Sequence, residues 1–483
     1  MTRSRSAATR ILFACLTTGF LATPARAQAP TSDDAQRLDS VVRYVEAEMQ
    51  RLRIPGMSVA ILRGDSIVMA RGFGYANVEL RVPASDSTIY QSGSVGKQFT
   101  SAAIMLLAER GKLSLDDPIT RWLPEGRGAW KGITIRHLLS HTSGIANYTD
   151  GAVDLHREYS ENHLVKLAVK SPLDFGPGAH WSYSNTGFVL LGAIVRRVTG
   201  QFYGDFLRDN IFRPLGMRTA RIISEADIVP NRASGYRLAG DTLRNQEWVS
   251  PSLNTTADGA LYLTVRDLAA WAVGLNHGRV PSAASLEASW TPIVLSTGGS
   301  YPYGFGWGLS PQRGVKKIAH TGSWQGFKTA IARYPALKLT VITMANLAET
   351  PIGPINASIA GIVEPRLASP HLLAEGALTV QPPAAIPTLL ARVAANDPHV
   401  PATPALRGFM NTHERKALAR ALASAPSWKT SGCDRIADPA ADGVGARSVY
   451  SCYAVSVGGK VPRVFTVLYT ADWKASWIES YSW

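Results

Sequence analysis

The sequence predicts an α/β protein: an antiparallel sheet flanked by helices, with an inserted all-α region, followed by a small α+β domain. Three observations lead there. A helical pattern and two β-runs open the chain, a matching pair of β-runs returns near residue 330, and the patterns between are mostly helical. A composition shift then sets off a last stretch of helix and strands.

Taken in order, Leu38, Val41, Val42, Val45, Met49 and Leu52 fall at helical spacing, and Pro55-Gly56 stops that helix. Residues 57–62 and 67–73 are β-runs joined through Arg63-Gly64-Asp65-Ser66, a tight hairpin turn. Helices are expected at 187–198, closed by Gly200, and at 265–275 after a Thr264…Asp267 capping pair. The late hairpin pairs 328–334 with 339–344 around Pro335-Ala336. Residues 365–404 are rich in Ala and Pro, which reads as a linker. That leaves 28–364 as the main domain and 405–483 as the small one. The latter should hold a helix at 413–423 and β-runs at 448–457, 461–470 and 473–483, turned by Gly458-Gly459-Lys460 and Ala471-Asp472.

Composition excludes several classes. With 483 residues, 46% hydrophobic and 18% charged, the chain can bury a sizeable core and is not disordered as a whole. Arg3, Arg5 and Arg10, the apolar residues 11–22 and Ala25-Arg26-Ala27 form a signal-peptide pattern over 1–27. The protein is therefore expected to be periplasmic or secreted, starting near Gln28. A lipid-anchored Cys15 after Leu12-Phe13-Ala14 is the rival. No other apolar run approaches the ~18 residues of a membrane span. Losing four arginines and no acids takes the formal charge from +14 to +10. The remaining Lys and Arg are scattered, which argues against a nucleic-acid partner. Cys433 and Cys452, the cysteines left after export, are expected to form one structural disulfide that ties the first β-run of the small domain to the loop before it.

Three short motifs carry chemistry. Ser94-Val95-Gly96-Lys97 opens an apolar run from Phe99 to Leu107, a helix expected to be buried. A lysine three residues beyond a serine can reach its hydroxyl, and burial lowers the lysine pKa until it accepts a proton. A plain helix cap would explain Ser94 equally well. Tyr183-Ser184-Asn185 follows the turn-rich Phe175-Gly176-Pro177-Gly178, so the phenol and the Asn amide can face a cleft. The alternative is an Asn that merely caps the next helix; Tyr75-Ala76-Asn77 repeats the pattern on a hairpin strand. His320-Thr321-Gly322-Ser323 precedes the late hairpin, where glycine lets a substrate backbone approach. His141-Thr142-Ser143-Gly144 is a similar run that reads as a helix stop. His137 and His141 lie four apart, but no neighbouring carboxylate or third histidine completes a ligand set, so no metal is expected; an organic cofactor is not expected either.

In the order Ser-x-x-Lys, Tyr-x-Asn, His-Thr-Gly, the chain resembles the serine β-lactamase and penicillin-recognising superfamily. It is most similar to class C β-lactamases and their relatives: D-aminopeptidases, D,D-carboxypeptidases and β-lactamase-fold esterases. The resemblance spans roughly residues 35–365 and includes Gly74-Tyr75-Ala76-Asn77, the 137–145 stretch, Pro177-Gly178 and Pro214-Leu215-Gly216-Met217. It implies a β-lactamase-like fold and an exported serine hydrolase that cleaves esters or amides. Ser94 would be acylated, Lys97 and Tyr183 would share proton transfers, and Asn185 would hold the substrate amide. His320, Thr321, Gly322 and Ser323 would bind substrate, with the N–H groups of Ser94 and Ser323 as the oxyanion hole. The substrate would be a small molecule or short peptide, cell-wall fragments included. His320 departs from the lysine of many relatives, which shifts the expectation away from β-lactams. A high-turnover β-lactamase and a non-catalytic penicillin-binding sensor are the alternatives.

Overall fold

The computed structural model describes residues 32–151, 153–296, 298–368, 385–410, 412–423, 427–435, 450–457 and 463–482. The leader with Cys15, and the Gly458-Gly459-Lys460 turn, lie outside the described residues. Among those described, no helix is long and apolar enough to cross a membrane.

Helix α1 (Ser32–Leu52) leads into strands β1 (Gly56–Arg63) and β2 (Ser66–Asn77). Arg63 pairs with Ser66 across the expected two-residue turn, where Gly64 takes a φ of +59°. The helical middle supplies α2 (Lys97–Glu109), α3 (Asn185–Thr199) and α4 (Val265–Asn276). Strands β3 (Ile318–Trp324), β4 (Phe327–Tyr334) and β5 (Leu339–Ala345) then return to the sheet, and α5 (Ile352–Val363) covers it. The sheet order is β3-β4-β5-β1-β2 with a short edge strand, Val82–Pro83, beyond β2. Every pairing is antiparallel.

β1 is the central strand, and its apolar run makes sense because both of its faces are covered. Successive side chains point to opposite faces. Met57, Val59 and Ile61 join Val41, Val45, Ile355 and Ile359 under α1 and α5. Ala60 and Leu62 join the second core, built around α2 and α4. Truncating Ile61 to alanine should cost about 2–5 kcal/mol of stability.

α2 is the axis of the helical region. Every residue from Lys97 to Leu107 is buried, and Phe99 packs on Trp271 and Phe212 with ring centroids 4.6 and 5.5 Å apart. A helix apolar on all sides can only sit inside. α3 starts two residues ahead of the expected position: Ser184 caps it by accepting from the Gly187 N–H, and Gly200 ends it at φ +75°.

The stretch 365–404 departs from the expected linker at both ends. The turn Pro365–Leu367 belongs to the main unit, because Leu367 is buried in the core beside α5. From residue 385 the chain is already packed into the C-terminal unit. Helix α6 (Ile386–Ala394) buries Ile386, Leu389, Leu390 and Val393 in that unit's core. Two more helices follow, α7 (Pro404–Phe409) and α8 (Thr412–Ala423). Strands β6 (Ser427–Arg435), β7 (Tyr450–Val457), β8 (Arg463–Tyr469) and β9 (Ala475–Ser482) form a four-stranded antiparallel meander. β6 stands where a loop was expected. Cys433 and Cys452 therefore join two neighbouring strands, directly opposite each other, rather than a strand and a loop. α7 lies against the short strand Ser300–Tyr301 of the main unit.

Candidate active site

Ser94 lies in a single 3₁₀ turn, Gly93–Gly96, that feeds α2. The residue at the helix's N-cap position is Gly96 and no side chain caps it, so capping does not account for Ser94. Lys97 is fully buried at the first position of α2. Its Nζ donates to Ser94 Oγ at 3.1 Å, to Asn185 Oδ1 at 2.7 Å and to the Asp258 carbonyl at 2.6 Å. Those acceptors use all three ammonium protons. Burial nevertheless pulls the Lys97 pKa down to about 8, with the Asp258 charge pulling the other way.

Glycines bring three segments onto this turn. A Cβ at Gly322 would meet Ser92 O at 2.0 Å and Ser94 N at 2.9 Å, and one at Gly93 would meet Ser323 N at 2.4 Å. A Cβ at Gly259 would lie 2.5 Å from Gly93 O. Only glycine permits such approaches. Strand β3 thus runs directly beside the turn that carries Ser94, with the N–H groups of Ser94 and Ser323 at the junction. Ser323 and Thr321 are exposed on β3, while Gly322 is buried.

Tyr183 reaches the site on a loop fixed by the turn after helix Ile135–Leu139. Gly178 N–H donates to Thr142 O, Ser182 N–H to His141 O, and Ser184 N–H to His141 Nδ1, at 2.8, 2.9 and 3.1 Å. The His141 run, read as a helix stop, is that and more: it anchors the loop that carries Tyr183. The His141 ring packs under Tyr183 at 4.2 Å and against Phe188 and Tyr303. Because Nδ1 accepts, the ring proton sits on Nε2. Burial and the Lys97 charge push the His141 pKa well down, so the ring is neutral. His137 instead serves its own helix, with Nδ1 accepting from Thr134 N–H at 3.1 Å.

The Tyr183 phenol oxygen is buried without a hydrogen bond of regular geometry. Burial pushes its pKa up, and the neighbouring Ser94 hydroxyl draws it partly back. Lys97 Nζ sits 4.9 Å from the ring centroid. Asn185, on the first turn of α3, gives its carbonyl to Lys97 and its N–H to Asn147 Oδ1 at 3.0 Å. Ser184, not Asn185, is the cap. Tyr75-Ala76-Asn77 stays on β2, with Asn77 bonded to Ser234.

His320 stands on β3, half-buried, with both ring nitrogens occupied. Nδ1 lies 2.6 Å from the Thr321 carbonyl and must donate to it, so Nε2 accepts from the Tyr303 hydroxyl at 2.9 Å. Burial, then the Lys97 charge, push the His320 pKa down to about 4. At neutral pH the ring is uncharged and has no spare donor.

The motifs gave no hint of four further residues: Asp258, Tyr148, Tyr303 and Asn147. Asp258 and Tyr148 line one pocket with Ser94, Asn185, Ser323 and Trp324. Their only signal in the sequence is Asp258-Gly259, which reads as an ordinary turn.

Residues 41–360 match the family described as Beta-lactamase. Penicillin-binding protein 4* of Bacillus subtilis is 32% identical over 311 residues, 60% of this chain and 68% of that protein. A D-aminopeptidase of Gluconobacter oxydans is 28% identical over 319 residues, 64% of this chain and 58% of that protein. The chain thus spans about two thirds or less of these relatives' lengths. An octameric penicillin-binding protein homologue from Pyrococcus abyssi shares the fold, with a TM-score of 0.62 over 92% of this chain and 90% of that one, at 24% identity. Matched to the family over most of its main unit, and sharing this fold, the chain belongs to the Beta-lactamase family of serine hydrolases and their penicillin-binding relatives.

Proposed function

We propose that this protein is an exported serine hydrolase that cleaves esters or amides through an acyl-enzyme on Ser94. One observation carries the reading: a buried Lys97, its pKa lowered to about 8, lies 3.1 Å from the Ser94 hydroxyl. Neutral Lys97 takes the Ser94 proton as Oγ attacks the substrate carbonyl. The N–H groups of Ser94 and Ser323 receive the developing oxyanion. Tyr183 keeps its phenol proton at neutral pH and passes it to the leaving group, while Asn185 donates to the substrate amide. Water then attacks the acyl-enzyme by the same relay and frees Ser94. No metal or organic cofactor takes part.

His320 directs the choice of substrate. A lysine there would offer a fixed charge to a carboxylate, and the neutral ring, bonded at both nitrogens, offers nothing. Esters, and amides or peptides without a free carboxylate, D-amino acid amides included, fit better than β-lactams. Similarity to a D-aminopeptidase supports this. Similarity to a penicillin-binding protein favours the second reading, a β-lactamase or penicillin sensor. The leader pattern and the Cys433–Cys452 pair both suit an oxidising compartment.

The test is a side-by-side assay of a chromogenic cephalosporin, a short-chain nitrophenyl ester and D-alanine amide, with Ser94→Ala as control. Ester or amide turnover should exceed cephalosporin turnover. Cephalosporin turnover far above the other two identifies a β-lactamase, and stable acylation without turnover identifies a sensor.

A further inference from the structure

The cleft holds an anion that the reaction above does not use. The Asp258 carbonyl accepts from Lys97, which fixes this residue beside the nucleophile. Its carboxylate points elsewhere and accepts from the Tyr148 hydroxyl at 3.0 Å. A carboxylate has room for about four such bonds. Among the described residues no arginine, lysine or histidine forms an ion pair with it.

An unpaired carboxylate in a half-buried cleft is costly, and here it also works against the base. Its charge raises the Lys97 pKa, opposing the depression that proton transfer needs. A cation bound at Asp258 would reverse both effects. It would satisfy the free lone pairs and cancel the field at Lys97. The neighbouring walls are Tyr148, Leu253 and Trp324, and they hold no competing cation. Ser94 and Asn185 line this pocket and Tyr183 does not; because Tyr183 serves the leaving group in the mechanism proposed above, the pocket is assigned to the acyl part of the substrate.

We propose that Asp258 and Tyr148 form a subsite for a protonated amine on the acyl portion of the substrate, so that aminoacyl amides and esters are the class it takes. This rests on the acyl-enzyme reading of Ser94 and narrows it.

The test compares alanine p-nitroanilide, as each enantiomer, with its N-acetyl counterpart, which has no charge. kcat/KM is measured for the wild type, Asp258→Asn and Tyr148→Phe. General damage to Ser94 and Lys97 acts on both substrates and cancels in the ratio of free-amine to N-acetyl rates. A charged hydrogen-bond partner is worth roughly 10- to 100-fold in that ratio. The ratio should favour the free amine in the wild type, fall by about that factor in Asp258→Asn, and fall by less in Tyr148→Phe. A ratio unchanged within about twofold in Asp258→Asn, or a wild type that prefers the N-acetyl substrate, overturns the subsite. Failure of a nitrophenyl ester to acylate Ser94 overturns the underlying reading instead.

Discussion

Replacing Lys97 by arginine keeps a cation beside Ser94 but removes the proton acceptor proposed for it. Burial takes Lys97 from 10.5 to about 8, so at pH 7 about one molecule in ten carries the neutral amine, against about one in three thousand for an unshifted lysine. A guanidinium stays protonated throughout the accessible range. The variant should therefore lose the roughly 10²–10⁴-fold contribution of a positioned general base. The assay is the burst of nitrophenolate on mixing enzyme with excess nitrophenyl ester, followed from about pH 6 to about pH 10. A group whose pKa is lowered to about 8 is protonated and inactive below it, so the wild-type acylation rate should rise about tenfold per pH unit and level off above about pH 8. Lys97→Arg should be slow and nearly flat. Acylation within about threefold of wild type at pH 7, or a wild-type rate independent of pH across this range, would refute Lys97 as the base.

Tyr183→Phe keeps the ring packed on His141 and removes the hydroxyl, so turnover should fall roughly 10²–10⁴-fold with little change in Tm. An unchanged rate would show that Lys97 suffices alone. His320→Lys restores a fixed charge, and cephalosporin kcat/KM should rise at least about tenfold relative to ester; equal changes in both would remove His320 from substrate choice. Cys452→Ser opens a loop of 19 residues between β6 and β7 and should cost the C-terminal unit about 3 kcal/mol, read in urea unfolding, while Ser94 labelling persists. Loss of labelling in the folded variant would show that the small unit supports the site, through α7 against Ser300–Tyr301 and the stack of Tyr301 on Trp181.

The placing of Ser94 beside Lys97 was readable in the sequence. Ser94 and Lys97 stand three apart, which one helical turn brings face to face, and the apolar run after them could belong only to a buried helix. The hairpins were equally plain, because their period-2 runs and turn residues are local signals. Asp258 and Tyr148 escaped because they meet across 110 positions, and nothing near either in sequence marks the contact. His141 lay in a recognised motif, but its service to Tyr183 depends on the loop folding back to donate from Ser184. β6 was missed because its sequence, Ser-Trp-Lys-Thr-Ser-Gly-Cys-Asp-Arg, has too few apolar residues to alternate. It is held by pairing with β7 rather than by a pattern of its own. The charge state of His320 is likewise a tertiary property, set by burial, Lys97 and Tyr303.

The most direct measurement of the acyl-enzyme is mass spectrometry of the protein quenched in acid during turnover of a nitrophenyl ester, followed by peptide mapping. One acyl adduct is expected, on the peptide carrying Ser94, and neither adduct nor turnover in a folded Ser94→Ala variant. An adduct on another residue, or a Ser94→Ala variant that keeps more than a few per cent of wild-type turnover, contradicts it.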